Sequence, residues 1–284
     1  MSLPTEVHAA FPTAKPYDTS QLQDGLSLLG YTLLYEQKTT STMDFALTAE
    51  KRRAVVLTEH QTDGRGRWGR RWVGAPGNSV LMTVMEPFLE QEGDPGPASL
   101  LPAQLFTLSV CNALQETVSA QVQIRWPNDI VHDGKKLAGI LVENPAYLPG
   151  KPHIKLFGLG MNVHGDDKSL PDTEYGAVSI DQISDTKLSR EAIILAIIEK
   201  WSMYRVDLRA INNQNVWNHY AKLWRNAASL VGEQVEITDN LTTDGIQAGI
   251  VQDTPLGDGL LLQTSFGMQT IMDTDPTTKI TITL

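Results

Sequence analysis

The segment that most constrains how this chain can fold is residues 64–72, which contains four arginines and three glycines in a protein of formal net charge −10. Glycine permits positive φ and close approach of a ligand to the backbone, so the segment predicts a loop. The loop directly follows an apolar, strand-like run at 54–58. Because arginine presents an always-charged planar fork to phosphate or carboxylate, the loop suits a ligand with condensed negative charge. An ordinary solvated basic turn is the alternative interpretation.

Length and composition are those of a globular protein with room for two domains: 284 residues, of which 41% are hydrophobic and 20% charged. The sequence pI of about 5.0 argues against a general nucleic-acid binder, which needs extensive basic surface. No apolar run approaches the roughly 18–20 residues of a membrane-spanning helix. Residues 1–17 lack the apolar centre of a signal peptide. We therefore expect a cytoplasmic protein without a membrane partner.

The single cysteine, Cys111, excludes an internal disulfide. It falls in an apolar helical pattern, which predicts a buried thiol rather than a nucleophile. The six histidines are scattered without a zinc-binding spacing. The sequence has neither a serine-hydrolase elbow nor a P-loop. An enzyme built on this chain has to use another arrangement.

The order of the sequence patterns predicts an α+β fold. Residues 30–229 read as one mixed or antiparallel sheet with helices on one face. After residue 229, apolar and polar residues alternate between turns at 240, 244–245 and 257–259, which predicts a small C-terminal β domain of about five strands, similar to an SH3-like barrel. Residues 1–29, rich in Pro, Thr and Gln, are predicted to be a lead-in with one short helix. The expected division is therefore 1–29, 30–229 and 230–284.

Three local signals matter for a binding site. Ser41 and Thr42 are predicted to cap a helix over 44–51. A turn at 133–134 predicts a hairpin that joins strands at 130–132 and 136–143. Glycines at 158 and 160 interrupt a predicted strand over 154–162, which suggests close approach of a ligand to the backbone. Helices are predicted at 100–118, 189–208 and 215–225.

Several motifs follow one another along the chain. They are Ser-Thr-Met at 41–43, Gln-Thr-Asp-Gly-Arg-Gly-Arg-Trp-Gly-Arg-Arg-Trp at 61–72, Arg-Trp-Pro-Asn-Asp at 125–129, Lys-Lys-Leu-Ala-Gly-Ile-Leu-Val-Glu at 135–143 and Gly-Leu-Gly-Met-Asn at 158–162. In this order and spacing, the chain resembles the biotin–protein ligases over about residues 35–284. The resemblance implies a biotin- and ATP-binding catalytic domain similar to the class II synthetases at 30–229, followed by the SH3-like domain.

The resemblance also implies a two-step reaction. Biotin and ATP, with Mg²⁺, would give biotinyl-5′-adenylate and pyrophosphate, and the biotinyl group would then pass to a lysine of a biotin carboxyl carrier domain. The arginine loop would screen the charge that develops at phosphorus. Some members add an N-terminal helix-turn-helix repressor domain. Only 40 residues precede Ser41, so we expect a ligase without repressor activity and without a nucleic-acid partner.

The family pattern assigns roles residue by residue. The expected catalytic residues are Lys136, Arg67 and Asp129. The residues expected to bind biotin are Ser41, Thr42, Gln61, Gly64, Arg65, Gly66, Arg67, Trp72, Lys136, Leu137, Gly139, Ile140 and Gly158. Those expected to bind ATP are Arg65, Arg67, Arg70, Trp72, Arg125, Asn128, Lys136, Asn162 and Arg225.

The role of Asp129 stays open at this point. Its carboxylate could hold Mg²⁺ through water, or it could orient the acceptor lysine and take its proton. Two positions also depart from the family pattern. Arg125 stands where lysine is common, and a forked guanidinium is not equivalent to an ammonium. Met43 stands where some members have asparagine.

Simpler interpretations of the other polar positions also remain. Ser41 and Thr42 could be only a helix cap, and Asn128 or Asn162 could be turn residues that bond their own backbone. Lys135, next to Lys136, is the better candidate for an ordinary solvated lysine.

Three functional alternatives compete with a biotin ligase. A lipoate–protein ligase would use a related fold and the same adenylate chemistry. A nucleic-acid-binding module would use the Arg/Gly loop as its contact, although one basic loop in an acidic chain argues against it. A ligase-derived binding protein would keep the adenylate without transferring it. The sequence leaves both a monomer and a homodimer possible.

Overall fold

The computed structural model describes residues 15–50, 53–88, 100–118, 120–145, 153–171, 173, 175–208, 210–238, 246–271 and 279–282. The predicted turns at 240 and 244–245 lie outside these ranges. Residues 1–14 of the predicted lead-in and residues 272–278 of the predicted C-terminal domain also lie outside them.

The described residues form six helices and twelve strands. The helices are α1 Thr19–Leu28, α2 Thr42–Thr48, α3 Leu101–Thr117, α4 Ile180–Ile183, α5 Arg190–Leu208 and α6 Gln214–Ala227. The strands are β1 Thr32–Thr39, β2 Ala54–Gln61, β3 Ser79–Phe88, β4 Gln123–Arg125, β5 Asp129–His132, β6 Lys135–Glu143, β7 His153–Asn162, β8 Gln234–Thr238, β9 Ile246–Asp253, β10 Leu260–Thr264, β11 Gly267–Ile271 and β12 Lys279–Ile282. The sequence patterns did not predict α4 or a 3₁₀ turn at Arg67–Gly69.

The first seven strands form one mixed sheet in the order β1-β2-β3-β7-β6-β5-β4. β1 and β2 are parallel, with α2 in the connection between them, and the other neighbouring pairs are antiparallel. A crossover of this kind is what parallel neighbours require. The predicted hairpin joins β5 to β6 through Asp133 and Gly134, which both have positive φ, at 47° and 74°. That pair of conformations matches the tight turn typical of a two-residue hairpin loop.

Side chains alternate between the two faces of this sheet. Val55 and Leu57 of β2 belong to the larger apolar core, which contains residues of α3, α5 and α6. Ala54 and Val56 belong to a smaller cluster with Met43 of α2. The long helices therefore cover one face, as predicted, and the short α2 lies on the other. The space beside α2 is where the candidate site forms.

An aromatic cluster anchors the helical layer to the sheet. Phe106 of α3 and Phe157 of β7 have ring centroids 5.0 Å apart, and Trp201 of α5 lies 5.0 Å from Phe157 and 5.2 Å from Phe106. All three side chains are fully buried. Truncation of one such residue typically costs about 3–5 kcal/mol, so the cluster is a major source of stability.

The last five strands form a separate antiparallel sheet in the order β11-β10-β9-β8-β12. This confirms the predicted small all-β unit. It packs against α3, because Gln104 donates to the Asp258 carbonyl at 3.1 Å and accepts from the Gly257 backbone N–H. Leu260 and Leu262 join the larger core. The boundary at residues 229 and 230 remains a prediction.

Two further expectations can be compared with the structure. Cys111 is fully buried on α3, as predicted, and burial raises the pKa of its thiol to about 12. Within the described residues, no helix combines the length and apolar character needed to cross a bilayer.

Candidate active site

A cavity of about 530 Å³ opens beside α2, between the Arg/Gly loop, the β4–β5 turn and strands β6 and β7. Apolar side chains such as Met43, Trp72 and Leu159 form part of its walls. Of the described residues that line it, six are cationic and one, Asp129, is a carboxylate. In a chain of net charge −10, this excess of positive charge is local to the cavity. Apolar walls with a few convergent polar groups are typical of a small-molecule site.

Glycines form the floor of the cavity where β6 and β7 pair. Gly139 and Gly160 are direct partners across the two strands. A Cβ on Gly160 would lie 2.3 Å from the Trp72 ring, and one on Gly158 would lie 3.2 Å from Sδ of Met43. The missing side chains therefore let Trp72 and Met43 lie directly against the sheet. The sequence predicted close approach of a ligand at 158 and 160; in the structure, the groups that approach these glycines are the protein's own side chains.

Three uncharged polar residues, Ser41, Thr42 and Gln61, form what we call the polar cradle. Ser41 is the N-cap of α2, and its Oγ accepts from the Met43 N–H at 3.2 Å. Gln61 Oε1 accepts from the Thr42 backbone N–H at 2.8 Å and from the Thr42 hydroxyl at 3.1 Å. Thr83 of β3, which is fully buried, contacts the same Thr42 hydroxyl at 2.8 Å. The predicted helix cap is confirmed, and it occupies only one of these hydroxyls.

The Arg/Gly loop folds back on itself as a short hairpin. The Trp72 N–H donates to the Gly64 carbonyl at 2.8 Å, and the Gly66 N–H donates to the Arg70 carbonyl at 2.7 Å. Gly69 has a φ of 71°, a conformation that favours glycine. A Cβ on Gly64 would lie 2.5 Å from the Trp72 carbonyl oxygen and 2.7 Å from Nε2 of Gln61. Glycine at 64 therefore lets the loop close on the polar cradle.

Arg65 holds one side of the loop. Its guanidinium forms ion pairs with Asp44 of α2 at 2.9 Å and with Glu143 at the end of β6 at 3.3 Å. Arg65 is 37% exposed at the side chain, so these pairs are partly solvated and individually weak. Their joint effect is to fix where the arginine lies across the cavity mouth.

Arg67 holds the other side of the loop, because its guanidinium donates to Oδ1 of Asn128 at 3.3 Å. Asn128 in turn donates to the Ile140 carbonyl at 2.5 Å, and the Ile140 N–H donates back to the Asn128 carbonyl at 3.0 Å. Asn128 therefore connects the loop to β6 and is more than a turn residue. Arg70 and Arg71 are both exposed, and Arg71 donates to the Thr62 carbonyl at 2.7 Å.

Lys136 and Asp129 form an ion pair at the cationic end of the cavity, with Nζ 2.8 Å from Oδ1. A Cβ on Gly139 would lie 3.2 Å from that Nζ and 3.3 Å from that Oδ1. The pair therefore fits because residue 139 has no side chain. The backbone of Lys136 is fixed as well: its N–H donates to the Gly176 carbonyl at 3.0 Å, and its carbonyl accepts from the Val178 N–H at 2.9 Å.

Arg125 and Asn162 complete this end of the cavity. The Arg125 guanidinium carbon lies 3.6 Å from the ring centroid of Tyr175, and Arg125 is only 7% exposed. Stacking on an aromatic face is a contact that guanidinium makes well and that helps explain arginine at this position. Asn162 is buried, and its amide donates to the Val178 carbonyl at 3.3 Å.

The structure brings most of the predicted site residues to this one cavity. The predicted residues that line it are Ser41, Thr42, Gln61, Arg65, Gly66, Arg67, Arg70, Trp72, Arg125, Asn128, Asp129, Lys136, Gly139, Ile140, Gly158 and Asn162. Gly64, Leu137 and Arg225 are not among its lining residues.

Each of these three residues has another position. Gly64 is buried beneath the loop and acts through the room it leaves for Gln61. Leu137 is fully buried in the larger apolar core, so it is not a wall of this cavity. Arg225 of α6 forms a bidentate ion pair with Asp253 of β9, at 2.8 and 2.6 Å, which directs its guanidinium to the second sheet. Arg225 and Leu137 therefore do not line this cavity, and their expected roles in ligand binding stay predictions.

A metal cage is absent from the described part of the chain, where no three His, Cys, Asp or Glu side chains cluster. Among the described residues that line the cavity, Asp129 is the one carboxylate, and its Oδ1 already contacts Lys136. Mg²⁺ commonly binds with one or two carboxylates plus substrate phosphates. The residues present therefore fit a metal that arrives with a nucleotide, and they do not fit a resident metal ion.

Sequence reasoning missed several residues of the site. Tyr175, Met82, Pro171 and Thr173 line the cavity, and Thr83 lies behind it in contact with Thr42. Thr83 interrupts an apolar strand with a hydroxyl, which is the one signal that could have identified it. The segment around Tyr175 gives no comparable signal, because its position depends on its backbone pairing with Lys136.

Comparisons with known proteins agree with this geometry. Residues 33–162 match the sequence model of the Biotin/lipoate A/B protein ligase family. The matched segment includes the Arg/Gly loop and the strands that line the cavity. It is 31% identical over 187 residues to the bifunctional ligase/repressor BirA of Bacillus subtilis (strain 168), covering 63% of this chain and 56% of that protein. It is 37% identical over 112 residues to the biotin–[acetyl-CoA-carboxylase] ligase of Paracoccus denitrificans, covering 39% and 45%.

Both relatives are named as biotin ligases, the class that the motifs resemble, and the chain spans only about half the length of each. Among solved structures, a biotin protein ligase from Aquifex aeolicus in complex with biotin and ATP has a TM-score of 0.70 at 21% identity and covers 88% of this chain and 99% of that one. A biotin protein ligase from Leishmania major in complex with biotinyl-5-AMP has a TM-score of 0.53 at 22% identity, with 84% and 98% covered. At these identities, the structures establish the shared fold.

Proposed function

We propose that this protein is an ATP-dependent ligase that activates biotin as biotinyl-5′-adenylate and transfers it to a lysine of a biotin carboxyl carrier domain. The observation that carries the proposal is that one cavity joins an uncharged polar cradle to a cluster of cations. Biotin is an uncharged ureido ring on an apolar chain that ends in a carboxylate, and ATP brings the phosphates. A single cavity that offers both environments suits the joining of these two molecules.

The cradle end suits the ureido ring. Ser41, Thr42 and Gln61 offer hydroxyl and amide groups, and Met43 and Trp72 supply apolar surface close by. None of the three cradle residues is charged, which fits a neutral head group. The apolar chain of biotin would extend over the glycine floor, and its carboxylate would reach the cationic end.

The cationic end suits the first step. The biotin carboxylate oxygen attacks the α-phosphorus of ATP, and the bond from that phosphorus to the bridging oxygen of pyrophosphate breaks. Two anions have to approach each other, so fixed cations are required to offset their repulsion. We assign this task to Lys136, Arg67 and Arg125, which line the same end of the cavity. Lys136 would exchange its contact with Asp129 for the carboxylate and the α-phosphate.

In the second step, a neutral acceptor lysine attacks the acyl carbon of the adenylate. The new amide N–C bond forms as the C–O bond to the phosphate breaks, and AMP leaves. Asp129, which Lys136 contacts at 2.8 Å, would orient the incoming amine and take its proton once Lys136 has turned to the phosphate. The Arg/Gly loop, held by Arg65 and Arg67, would cover the adenylate and keep water from its acyl carbon.

Mg²⁺ would enter with ATP and neutralise phosphate oxygens, with Asp129 as the available carboxylate nearby. Because the reaction consumes ATP and uses a carboxylase domain as acceptor, we infer that the protein acts in the cytoplasm. Transfer to a carrier domain also distinguishes this proposal from a protein that only binds the adenylate.

Pyrophosphate release tests the proposal. Purified protein is incubated with MgATP and either biotin, lipoate or no acid, with and without a carrier domain. We expect release only with biotin and a biotinylated lysine only when the carrier is present. Release with lipoate would assign the protein to lipoate ligation instead. No release with either acid would contradict an activating enzyme, and release without transfer would leave only adenylate formation.

A further inference from the structure

The hydrogen bonds around Thr42 have only one possible direction. A backbone N–H can only donate, so the Gln61 atom that faces the Thr42 N–H at 2.8 Å must be its carbonyl oxygen, Oε1. A carbonyl oxygen can only accept, so the Thr42 hydroxyl, 3.1 Å away, must donate to it. The one hydroxyl proton of Thr42 is therefore engaged in the hydrogen bond to Gln61. The contact of 2.8 Å between the Thr42 and Thr83 hydroxyls therefore requires Thr83 to be the donor.

This order decides what the polar cradle offers to a ligand. The Thr42 hydroxyl accepts a hydrogen bond from Thr83 and donates one to Gln61, so one lone pair of its oxygen remains free to accept. Gln61, whose oxygen accepts both bonds from Thr42, has its Nε2 group left as a donor. The two residues together present an acceptor beside a donor. An N–H next to a C=O, the edge of a urea, matches this pair, and a dithiolane ring offers neither group.

We propose that Thr83 is a positioning residue that fixes the Thr42 hydroxyl as an acceptor and so sets the preference of the site for a ureido ring. The inference rests on the proposed use of biotin. Thr83 is fully buried on β3, directly opposite Gly158 of the cavity floor, and it is not among the cavity-lining residues. It acts on the ligand only through Thr42. Without its hydroxyl, the Thr42 side chain can rotate and offer its proton to the cavity.

Replacement of this hydroxyl by a methyl group tests the role. In Thr83→Val, and in the smaller Thr83→Ala, we expect the Kd for biotin, measured by calorimetry on the full chain without ATP, to rise about fivefold or more. The KM for biotin should rise with it, whereas the KM for ATP and the kcat at saturating biotin should stay within about twofold. Thr83→Ser, which restores the hydroxyl, should return the affinity to near that of the wild type.

Thr107→Val is the matched control. Thr107 is equally buried, but it lies on α3 and donates to the Ala103 carbonyl at 2.8 Å. It should leave the Kd for biotin unchanged, and melting curves of all variants establish that they fold. Biotin affinity that is unchanged in Thr83→Val, or equally weak in a folded Thr83→Ser, would overturn the positioning role. Failure of the wild type to bind biotin would instead overturn the proposed function on which it rests.

Discussion

The Lys136 ammonium lies 2.8 Å from the Asp129 carboxylate, across a strand position where glycine leaves the space for both. The pair is partly exposed, at 25% and 20% of the two side chains. It is therefore open to a ligand, and it holds the lysine at the cationic end of the cavity. A cation that a neighbouring carboxylate keeps in position is ready for an anionic substrate without first having to be ordered.

Lys136→Ala should fold normally and lose adenylate formation. Removal of a cation that meets developing charge typically lowers kcat by about 100-fold or more. Pyrophosphate release with biotin and ATP measures the loss, and a melting curve reports the fold. Lys135→Ala, at the exposed neighbouring position, is the control and should retain full activity. Equal activity in the two variants would contradict the role of Lys136.

Arg67→Gly should form the adenylate more slowly than the wild type, because one of the three cations is lost, and should release it early. The substitution removes the bond of 3.3 Å between the loop and Asn128, which closes the cavity on that side. Adenylate that escapes into solution should label lysines on unrelated proteins. Blotting for biotin after incubation with serum albumin measures this, and Arg67→Lys, which keeps the charge but loses the fork, should be intermediate. Retention of the adenylate as tight as in the wild type would exclude a closing role for Arg67.

The glycine floor predicts a ranking of two alanine variants. Gly160→Ala places a methyl group 2.3 Å from the Trp72 ring, which is too bulky to yield easily, so Trp72 should be displaced and biotin affinity should fall at least about tenfold. Gly158→Ala meets the flexible end of Met43 at 3.2 Å and should cost much less. Calorimetric titration with biotin compares the two, and an equal effect would show that the Trp72 contact does not shape the site.

Cys111 should resist thiol reagents in the folded protein. Burial raises the pKa of its thiol to about 12, so very little of the reactive thiolate is present at pH 8. Iodoacetamide at pH 8 should label it in urea and leave it essentially unlabelled without urea, as read by intact mass. Rapid labelling of the native protein would indicate that α3 opens readily.

The Arg225–Asp253 pair should support stability and leave catalysis unaffected. Its hydrogen bonds from Arg225 hold the pKa of Asp253 below the ordinary value. The pair therefore stabilises the fold above the unfolded pKa of aspartate, about 4, and this contribution is lost as pH falls through the lower folded pKa. Arg225→Met should reduce the free energy of unfolding at pH 7 slightly, and the difference from the wild type should shrink below about pH 4. A raised KM for ATP in this variant would show that Arg225 contributes to ATP binding.

The sequence was sufficient for those parts of the structure that depend on local chemistry. The Ser41 cap, the hairpin through Asp133 and Gly134, and the strands on either side of the Arg/Gly loop all follow from short-range preferences. The resemblance to a known family then identified most of the residues that line the cavity. The predicted site residues that do not line the cavity include Arg225, whose position depends on a partner distant in sequence. Arg225 looks like any helical arginine until the second sheet places Asp253 beside it.

Thr83 and Tyr175 were missed for a similar reason. A threonine in a strand is ordinary, and its importance comes from Thr42, which is 41 positions away in sequence. Tyr175 reaches Arg125 because residues 176–178 pair with the backbone of Lys136. Neither contact can be inferred from the composition or the periodicity of the sequence.

Arg65, held between Asp44 and Glu143, has a consequence for which anions the cavity admits. Its charge is already balanced by two carboxylates of the same chain, so an entering anion must displace them before it gains the arginine. Chloride or inorganic phosphate makes too few other contacts in the cavity to compensate for that exchange. An adenylate, which also contacts the polar cradle and the apolar walls, does compensate. Internal competition of this kind favours a ligand that contacts the cavity at several points over a small anion that contacts Arg65 alone.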